Sequence, residues 1–344
     1  MSKLIQPVIL KKSDRNDESS KDKGPNSSNH LKVLSKVTND SLDHVKMKMS
    51  VQPNSSHQVT KMKSSARLML PNFNFEKKVL CYLDNSNNDF LVVGVIGVKS
   101  AGKSTLMNII ADQNYVNFKE DDTSISFNKI NEVFPTNLKS YGGPFLDMFV
   151  TDDRIIILDT SPLLNNQEKE MFASESEDIK MVSTVLQSCH ITFVVHNDYP
   201  NLAVNRILKI ALNTIQKDNK HSPIIEHVMN RIKPGKIISP LDQRIFKRCP
   251  IKIPDFLHAD VRHHHDVNQI VLGFRERVMM MKRVTINAET PDEPFTEKSW
   301  IQKLSRQTAQ FEDNYFIGRY VTIRDRFHQS LEVSTENPYP SADK

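Results

Sequence analysis

Gly97-Val98-Lys99-Ser100-Ala101-Gly102-Lys103-Ser104 is a complete G-x-x-x-x-G-K-S loop, and its neighbours decide how it is read. The run before it, Phe90-Leu91-Val92-Val93-Gly94-Val95-Ile96, reads as a buried strand. The run after it, Thr105-Leu106-Met107-Asn108-Ile109-Ile110, reads as the first turns of a helix. Strand, loop and helix in that order are what a phosphate cradle requires. Glycines let the backbone curl so that successive N–H groups converge on a β-phosphate, and the helix N-terminus adds partial positive charge. Gly97, Lys99, Ser100, Ala101, Gly102, Lys103, Ser104 and Thr105 are therefore the candidate nucleotide-binding residues. Lys103 is expected to reach the β- and γ-phosphates, and Ser104 to ligate Mg²⁺.

Outward from the loop, strands and helices alternate. Asp147 to Val150 and Ile155 to Leu158 flank Thr151-Asp152-Asp153-Arg154, a hairpin signature. Ile155-Ile156-Ile157-Leu158 ends at Asp159, as a Walker B strand should, which makes Asp159 the second candidate metal residue. A helix is predicted over 168–186, a strand over Ile191 to Val195 and a helix over 203–215. Pro223 to Met229 reads as a further strand, less apolar and so nearer an edge. Phe75, Val79, Leu80 and Leu83 lie at helical spacing before the loop strand, and later helices are predicted over 267–282, 297–311 and 316–331. This order predicts an α/β, P-loop GTPase-like fold: a mostly parallel sheet flanked by helices, with its ligand at the strands' carboxyl ends.

The polarity of the chain is uneven. Charged residues make up 25% and apolar ones 38%, yet the first 72 positions hold no Phe, Tyr or Trp. Such a segment cannot bury enough apolar surface to offset its ordering entropy. Within 1–65 there are 12 Lys+Arg against 6 Asp+Glu, so the tail alone is +6 where the whole chain is +5. The basic character belongs to a tail and not to the folded part. No aromatic residues interleave with its lysines, so direct sequence-specific nucleic-acid binding is not expected. The organisation read is a disordered basic tail over 1–65, a P-loop domain over 66–290, helices packed on it over 291–335, and a short tail over 336–344.

Cys81, Cys189 and Cys249 are few and widely spaced, which indicates neither a disulfide framework nor a zinc site. The longest apolar run is about half the length needed to cross a bilayer, and no signal-peptide core follows Met1. A cytoplasmic protein with no membrane partner is the expectation. His263-His264-His265 reads as an exposed loop, since three consecutive side chains cannot converge on one ion. Met279-Met280-Met281 closes an amphipathic helix with Ile270, Phe274 and Val278 and reads as core.

The motifs that should follow the loop are altered. An active GTPase carries D-x-x-G after the Walker B strand, where the glycine N–H meets the γ-phosphate. Here the stretch is Asp159-Thr160-Ser161-Pro162-Leu163, and proline has no N–H to give. A switch threonine should precede the Asp147 strand, but that place reads Ser140-Tyr141-Gly142-Gly143-Pro144, with Thr123 far upstream. Guanine recognition by N-K-x-D would fall at Asn230-Arg231-Ile232-Lys233, with a cation where the carboxylate belongs. The expectation is a purine nucleotide (GDP/GTP or ADP/ATP) with Mg²⁺, base selectivity that is weak or favours adenine, and little hydrolysis. The alternatives are an active GTPase or ATPase switch whose catalytic residue a partner supplies, and an adenine-specific P-loop kinase.

At these residues the chain resembles the family of the ninth SMG protein of nonsense-mediated mRNA decay. Phe90 to Ser104, Leu146 to Pro162, Pro254-Asp255-Phe256-Leu257 and Thr296-Glu297-Lys298-Ser299-Trp300 carry the resemblance, which covers roughly residues 66–332. Gln6-Pro7-Val8-Ile9-Leu10-Lys11-Lys12 is similar to a short segment of that family's N-terminus. The resemblance implies a GTPase-like, catalytically impaired regulatory subunit that forms a heterodimer with the eighth SMG protein. It further implies regulation of the SMG-one kinase. The chain departs from the family in its short, proline-poor tail and in Gly142-Gly143-Pro144 before the hairpin, where vertebrate relatives have Thr.

Overall fold

The computed structural model describes residues 59–118, 125–137, 143–165, 171–215, 223–233, 246, 248–255, 265–283 and 295–311, with positions 318, 322 and 326. Along the chain these form β1 (Ala66–Met69), β2 (Leu91–Gly97), α1 (Lys103–Ala111), β3 (Val116–Phe118), β4 (Ile125–Phe127), β5 (Leu146–Val150) and β6 (Ile155–Thr160). There follow α2 (Met171–Ser188), β7 (Ile191–His196), α3 (Leu202–Ile215), β8 (Ile224–Ile232), β9 (Ile251–Pro254), α4 (His265–Met279) and α5 (Glu297–Ala309). Seven strands make one sheet in the order β1-β5-β6-β2-β7-β8-β9, and β3 pairs with β4 apart from it. The strands from β6 through β2, β7 and β8 to β9 run parallel, while β5 and β1 are antiparallel.

The unbroken apolar character of β2 follows from its place: every residue of it is buried, as a strand covered on both faces demands. Val92 and Ile96 face one core, with Leu186 of α2, Ile207 of α3 and Trp300 of α5. Leu91, Val93 and Val95 face the other, with Met107 of α1 and Phe274 of α4. Successive residues of a strand alternate between faces, so one strand feeds both layers. Helix α5 opens with a capping box in which Thr296 Oγ1 accepts from the Ser299 N–H. Trp300 on this helix is buried, and its indole N–H donates to Ser188 O at 2.9 Å.

Several expectations meet the structure differently. β8 is not at the sheet edge: it pairs with β7 on one side and β9 on the other. Its polar residues are internally matched, not exposed. Glu226 is buried and accepts from Arg277 at 3.0 Å and Arg248 at 3.3 Å, and His227 shares a 3.0 Å bond with His196. Polarity read as an edge was a buried ion pair and a histidine pair. The edge strand β9 and the short β1, β3 and β4 carry too few residues for a periodic signal. The stretch Phe75 to Leu83 closes as a 3₁₀ turn, Lys77–Tyr82, not an α-helix. Residues read with the tail belong to the folded part: Thr60 N–H donates to Cys81 O, Ser65 N–H donates to Val133 O, and Met62 packs on both cores. Met279 and Met281 pack on the core while Met280 is exposed. The three cysteines are free. The tail over 1–58, Thr123, Ser140 to Gly142, Phe256, Leu257, His263, His264 and the helix expected over 316–331 lie outside the described residues, save positions 318, 322 and 326.

Candidate nucleotide site

The loop after β2 is held close to the neighbouring backbone. A Cβ on Gly97 would stand 2.5 Å from Val195 O, so only glycine lets β2 and β7 meet at that height. Gly102 is the N-cap of α1 with φ 95°, in the left-handed region that side chains rarely enter. A Cβ there would lie 2.1 Å from Asn230 Nδ2. Asn230 reaches across from the end of β8 and donates to Ala101 O at 2.8 Å. It clamps the loop from the strand beyond β7, a role that loop-centred reasoning missed. The signal was present in Asn230-Arg231-Ile232-Lys233, where attention went to the fourth residue and not the first.

Lys103 is buried and its ammonium donates to Val98 O, 3.1 Å away. Burial pushes its pKa down to about 8, against the opposing pull of Asp159. Asp159 stands opposite Val95 in the β2–β6 ladder, beneath the loop. Ser104 Oγ donates to its Oδ2 at 2.6 Å. Burial pushes the Asp159 carboxyl up to about 6, with Lys103 and Ser104 acting to lower it. Its other oxygen, Oδ1, is buried without a hydrogen-bond partner among the described residues. A buried acceptor left unpaired is costly unless something donates to it or coordinates it.

The site residues expected from the sequence thus come together: Gly97, Ala101, Gly102, Lys103, Ser104 and Asp159 all lie at the carboxyl ends of β2 and β6. Lys99 and Ser100 are exposed at the loop's tip, so their backbone N–H groups are what they bring to a phosphate. Thr105 lines a cavity of about 120 Å³ together with Gly102, Asn230, Arg231, Ile253 and Asp255. The donor set fits a phosphate and a hard cation: a cationic amine, a hydroxyl, a carboxylate with a spare oxygen, and a helix N-terminus. No group of three or more His, Cys, Asp or Glu side chains suited to a metal occurs among the described residues. A cation held by Ser104 and Asp159 would take its other ligands from phosphate oxygens and water.

The segment after β6 is fastened down. Leu163 N–H donates to Gly97 O at 3.0 Å, and its side chain is buried. Ser161 N–H donates to Phe145 O at 2.9 Å, and Ser161 Oγ accepts from the Phe145 N–H. Leu164 N–H donates to Asp178 of α2 at 2.8 Å. Burial pushes the Asp178 carboxyl up to about 7. Pro162 has no N–H, and the next one along is spent on the loop's own carbonyl.

A phosphate-binding loop between a buried parallel strand and its helix, with the Walker B carboxylate on the adjacent strand, defines a P-loop domain of the GTPase-like kind. Its relatives in sequence are SMG9 proteins. The chain is 26% identical over 170 residues to nonsense-mediated mRNA decay factor SMG9 of Salmo salar, 25% over 167 residues to that of Xenopus laevis, and 31% over 152 residues to Protein SMG9 of Drosophila melanogaster. These matches span 44%, 44% and 40% of this chain, and 32%, 32% and 30% of those proteins. The chain thus spans about a third of the length of the curated relatives it matches. The resemblance read from the loop, hairpin and later signatures is the one these relatives bear out. No family model matches the chain. Among solved structures it resembles elongation factor SelB of Methanococcus maripaludis in complex with the GTP analogue GppNHp, at TM-score 0.26 and 10% identity over 55% of this chain and 34% of that one. It also resembles Era in complex with MgGDPNP and a 16S ribosomal RNA segment, at TM-score 0.33 and 12% identity over 60% and 63%. Among the described residues no helix is long and apolar enough to cross a membrane.

Proposed function

We propose that the chain is a nucleotide-binding, catalytically impaired GTPase-like subunit acting in nonsense-mediated mRNA decay. In this reading it works in the cytoplasm, pairs with the eighth SMG protein and regulates the SMG-one kinase. The observation that carries the biochemical half is the contrast within one site. The phosphate cradle is complete, with Lys103 beneath the loop and Ser104 beside Asp159 at 2.6 Å, whereas the γ-phosphate sensor is replaced by Pro162 and by a Leu163 N–H already bonded to Gly97 O. Phosphates would be held by the loop's N–H groups and Lys103, and Mg²⁺ by Ser104 and Asp159, where the cation would neutralise phosphate charge. No side chain on the described part of the Asp159–Leu164 segment is suited to orient an attacking water. The similarity to SMG9 proteins supports the cellular half.

Two measurements test this. Calorimetry on the full chain with GDP and ADP, each with Mg²⁺, should give saturable binding that Lys103→Ala weakens about ten- to a hundredfold, the loss of a charge-assisted contact. Unchanged affinity in that variant would refute the cradle assignment. Co-purification with the eighth SMG protein should survive removal of residues 1–58, because the chain's aromatic anchors all lie from Phe73 onward. Loss of the complex on that truncation would place the main interface in the tail.

A further inference from the structure

The cavity beside the loop has a second polar wall. β8 and β9 pair in parallel, with a register shift between Met229 and Ile232, and Asp255 N–H closes the pair by donating to Ile232 O at 3.2 Å. The shift coincides with Arg231, a non-glycine residue at φ 58°, which turns the chain sharply after Asn230. Two consequences follow for the residues of that turn. Lys233, which occupies the place of a guanine-reading carboxylate in the linear motif, is exposed. Arg231 and Asp255 instead line the cavity that Gly102 and Thr105 of the phosphate cradle also line. Its other walls include Leu106, Val228 and Ile253, the flat apolar surroundings a ring system needs.

We infer that Asp255 is the base-reading carboxylate of this site and that it selects guanine. The inference rests on the nucleotide-binding reading above and deepens it. A base joined through its ribose to phosphates on the loop extends towards the carboxyl ends of β8 and β9, the side on which open α/β sheets take their ligands. There it meets an acceptor-only group, since an ionised carboxylate offers lone pairs and no proton. Guanine presents two adjacent donor sites, N1–H and the 2-amino group, which match the two oxygens of one carboxylate. Adenine presents a bare N1 lone pair beside its amino group and would set acceptor against acceptor. Arg231 adds donors on the same wall, which suit the O6 of guanine and oppose the 6-amino group of adenine. The expectation of weak or adenine-favouring selectivity rested on Lys233 alone. The fold brings the missing charge from another strand, 22 positions after the residue that clamps the loop.

Xanthosine diphosphate makes the test specific, because its 2-carbonyl accepts where guanine's 2-amino group donates. The full chain and its Asp255→Asn variant are titrated in a calorimeter with GDP, ADP, XDP and inorganic pyrophosphate. The wild-type protein should prefer GDP to ADP by about tenfold or more, as expected for hydrogen bonds to a charged partner. Asp255→Asn should lose about tenfold for GDP, gain affinity for XDP and leave pyrophosphate binding unchanged. Equal GDP and ADP affinities in the wild type would overturn the assignment, as would a variant with unaltered base preference. A parallel loss of pyrophosphate binding in the variant would make Asp255 a structural residue and overturn it too. If neither pyrophosphate nor any nucleotide binds the wild type, the cradle reading fails and the base site falls with it. If pyrophosphate binds and no nucleoside adds affinity, the cradle stands and the base site alone falls.

Discussion

Replacing Gly102 by alanine puts two strains into one place. The residue sits at φ 95°, where a side chain costs about 1–2 kcal/mol. The added Cβ would also lie 2.1 Å from Asn230 Nδ2, an overpacking that costs about 1–3 kcal/mol unless Asn230 leaves. If it leaves, the 2.8 Å bond to Ala101 O goes with it, worth about 1 kcal/mol. The single variant should therefore be destabilised by about 2–5 kcal/mol. Asn230→Ala alone removes only the hydrogen bond, about 1 kcal/mol. The double variant retains the backbone strain and the lost bond but relieves the collision, for about 2–3 kcal/mol in all. Urea unfolding of the three variants closes the cycle. It should show coupling in which the double variant is less damaged than the sum, by about 1–3 kcal/mol. Additivity to within about 0.5 kcal/mol would refute the idea that the loop and Asn230 are one interlocked unit.

Nucleotide affinity should fall with rising pH above the Lys103 pKa of about 8. Phosphate binding raises the pKa of a cation it contacts, so the complex takes up a proton there, and the decline approaches tenfold per pH unit. Lys103→Arg, always charged, should flatten the ADP profile, and an equally steep decline in that variant would assign the effect elsewhere. At the acid end, the Mg²⁺-dependent part of binding should fade below about pH 6 as Asp159 takes up its proton; calorimetry with and without Mg²⁺ reads this. Single-turnover hydrolysis of GTP or ATP by the isolated chain should be negligible, and a rate of order 10 per second would show that Pro162 and Leu163 are not the obstacle. Glu297 is wholly buried and bonds the Arg154 guanidinium, Asn87 Nδ2 and Asp84 N–H. Glu297→Ala should cost about 3 kcal/mol in urea unfolding, because it strands a partly buried arginine; a loss under about 0.5 kcal/mol would show the pair to be solvated.

The central layer was legible because its elements are long and uniform. β2, β6 and β7 are buried on both faces and read as apolar runs, and helices α2 and α3 have room for several periods. The Walker A and Walker B residues were legible because their spacing is fixed by phosphate geometry within two adjacent elements. What escaped depends on contacts between distant segments. Nothing local distinguishes Glu226, buried between two arginines, from an exposed edge glutamate. Asn230 is ordinary until β8 brings it against Ala101. Asp255 was noticed as part of a similar stretch, but its place beside Arg231 comes from the register shift of a four-residue strand. Leu163 was read for the water it cannot hold, while its N–H bond to Gly97 O depends on how the chain leaves β6.

That bond has a consequence for what such a protein can sense. In a timing device, the terminal phosphate competes for a backbone N–H and wins, so the two ends of the reaction have different shapes. Here the first available N–H beyond the proline belongs to a ring of contacts closed within the chain, from Gly97 through Leu163 and Leu164 to Asp178. A ligand moves an equilibrium only by its difference in affinity for the two states. A di- and a triphosphate that meet the same closed ring have no such difference to exploit. The domain would then register the presence of a nucleotide and ignore its charge state, so that what it reports is supply and not elapsed time.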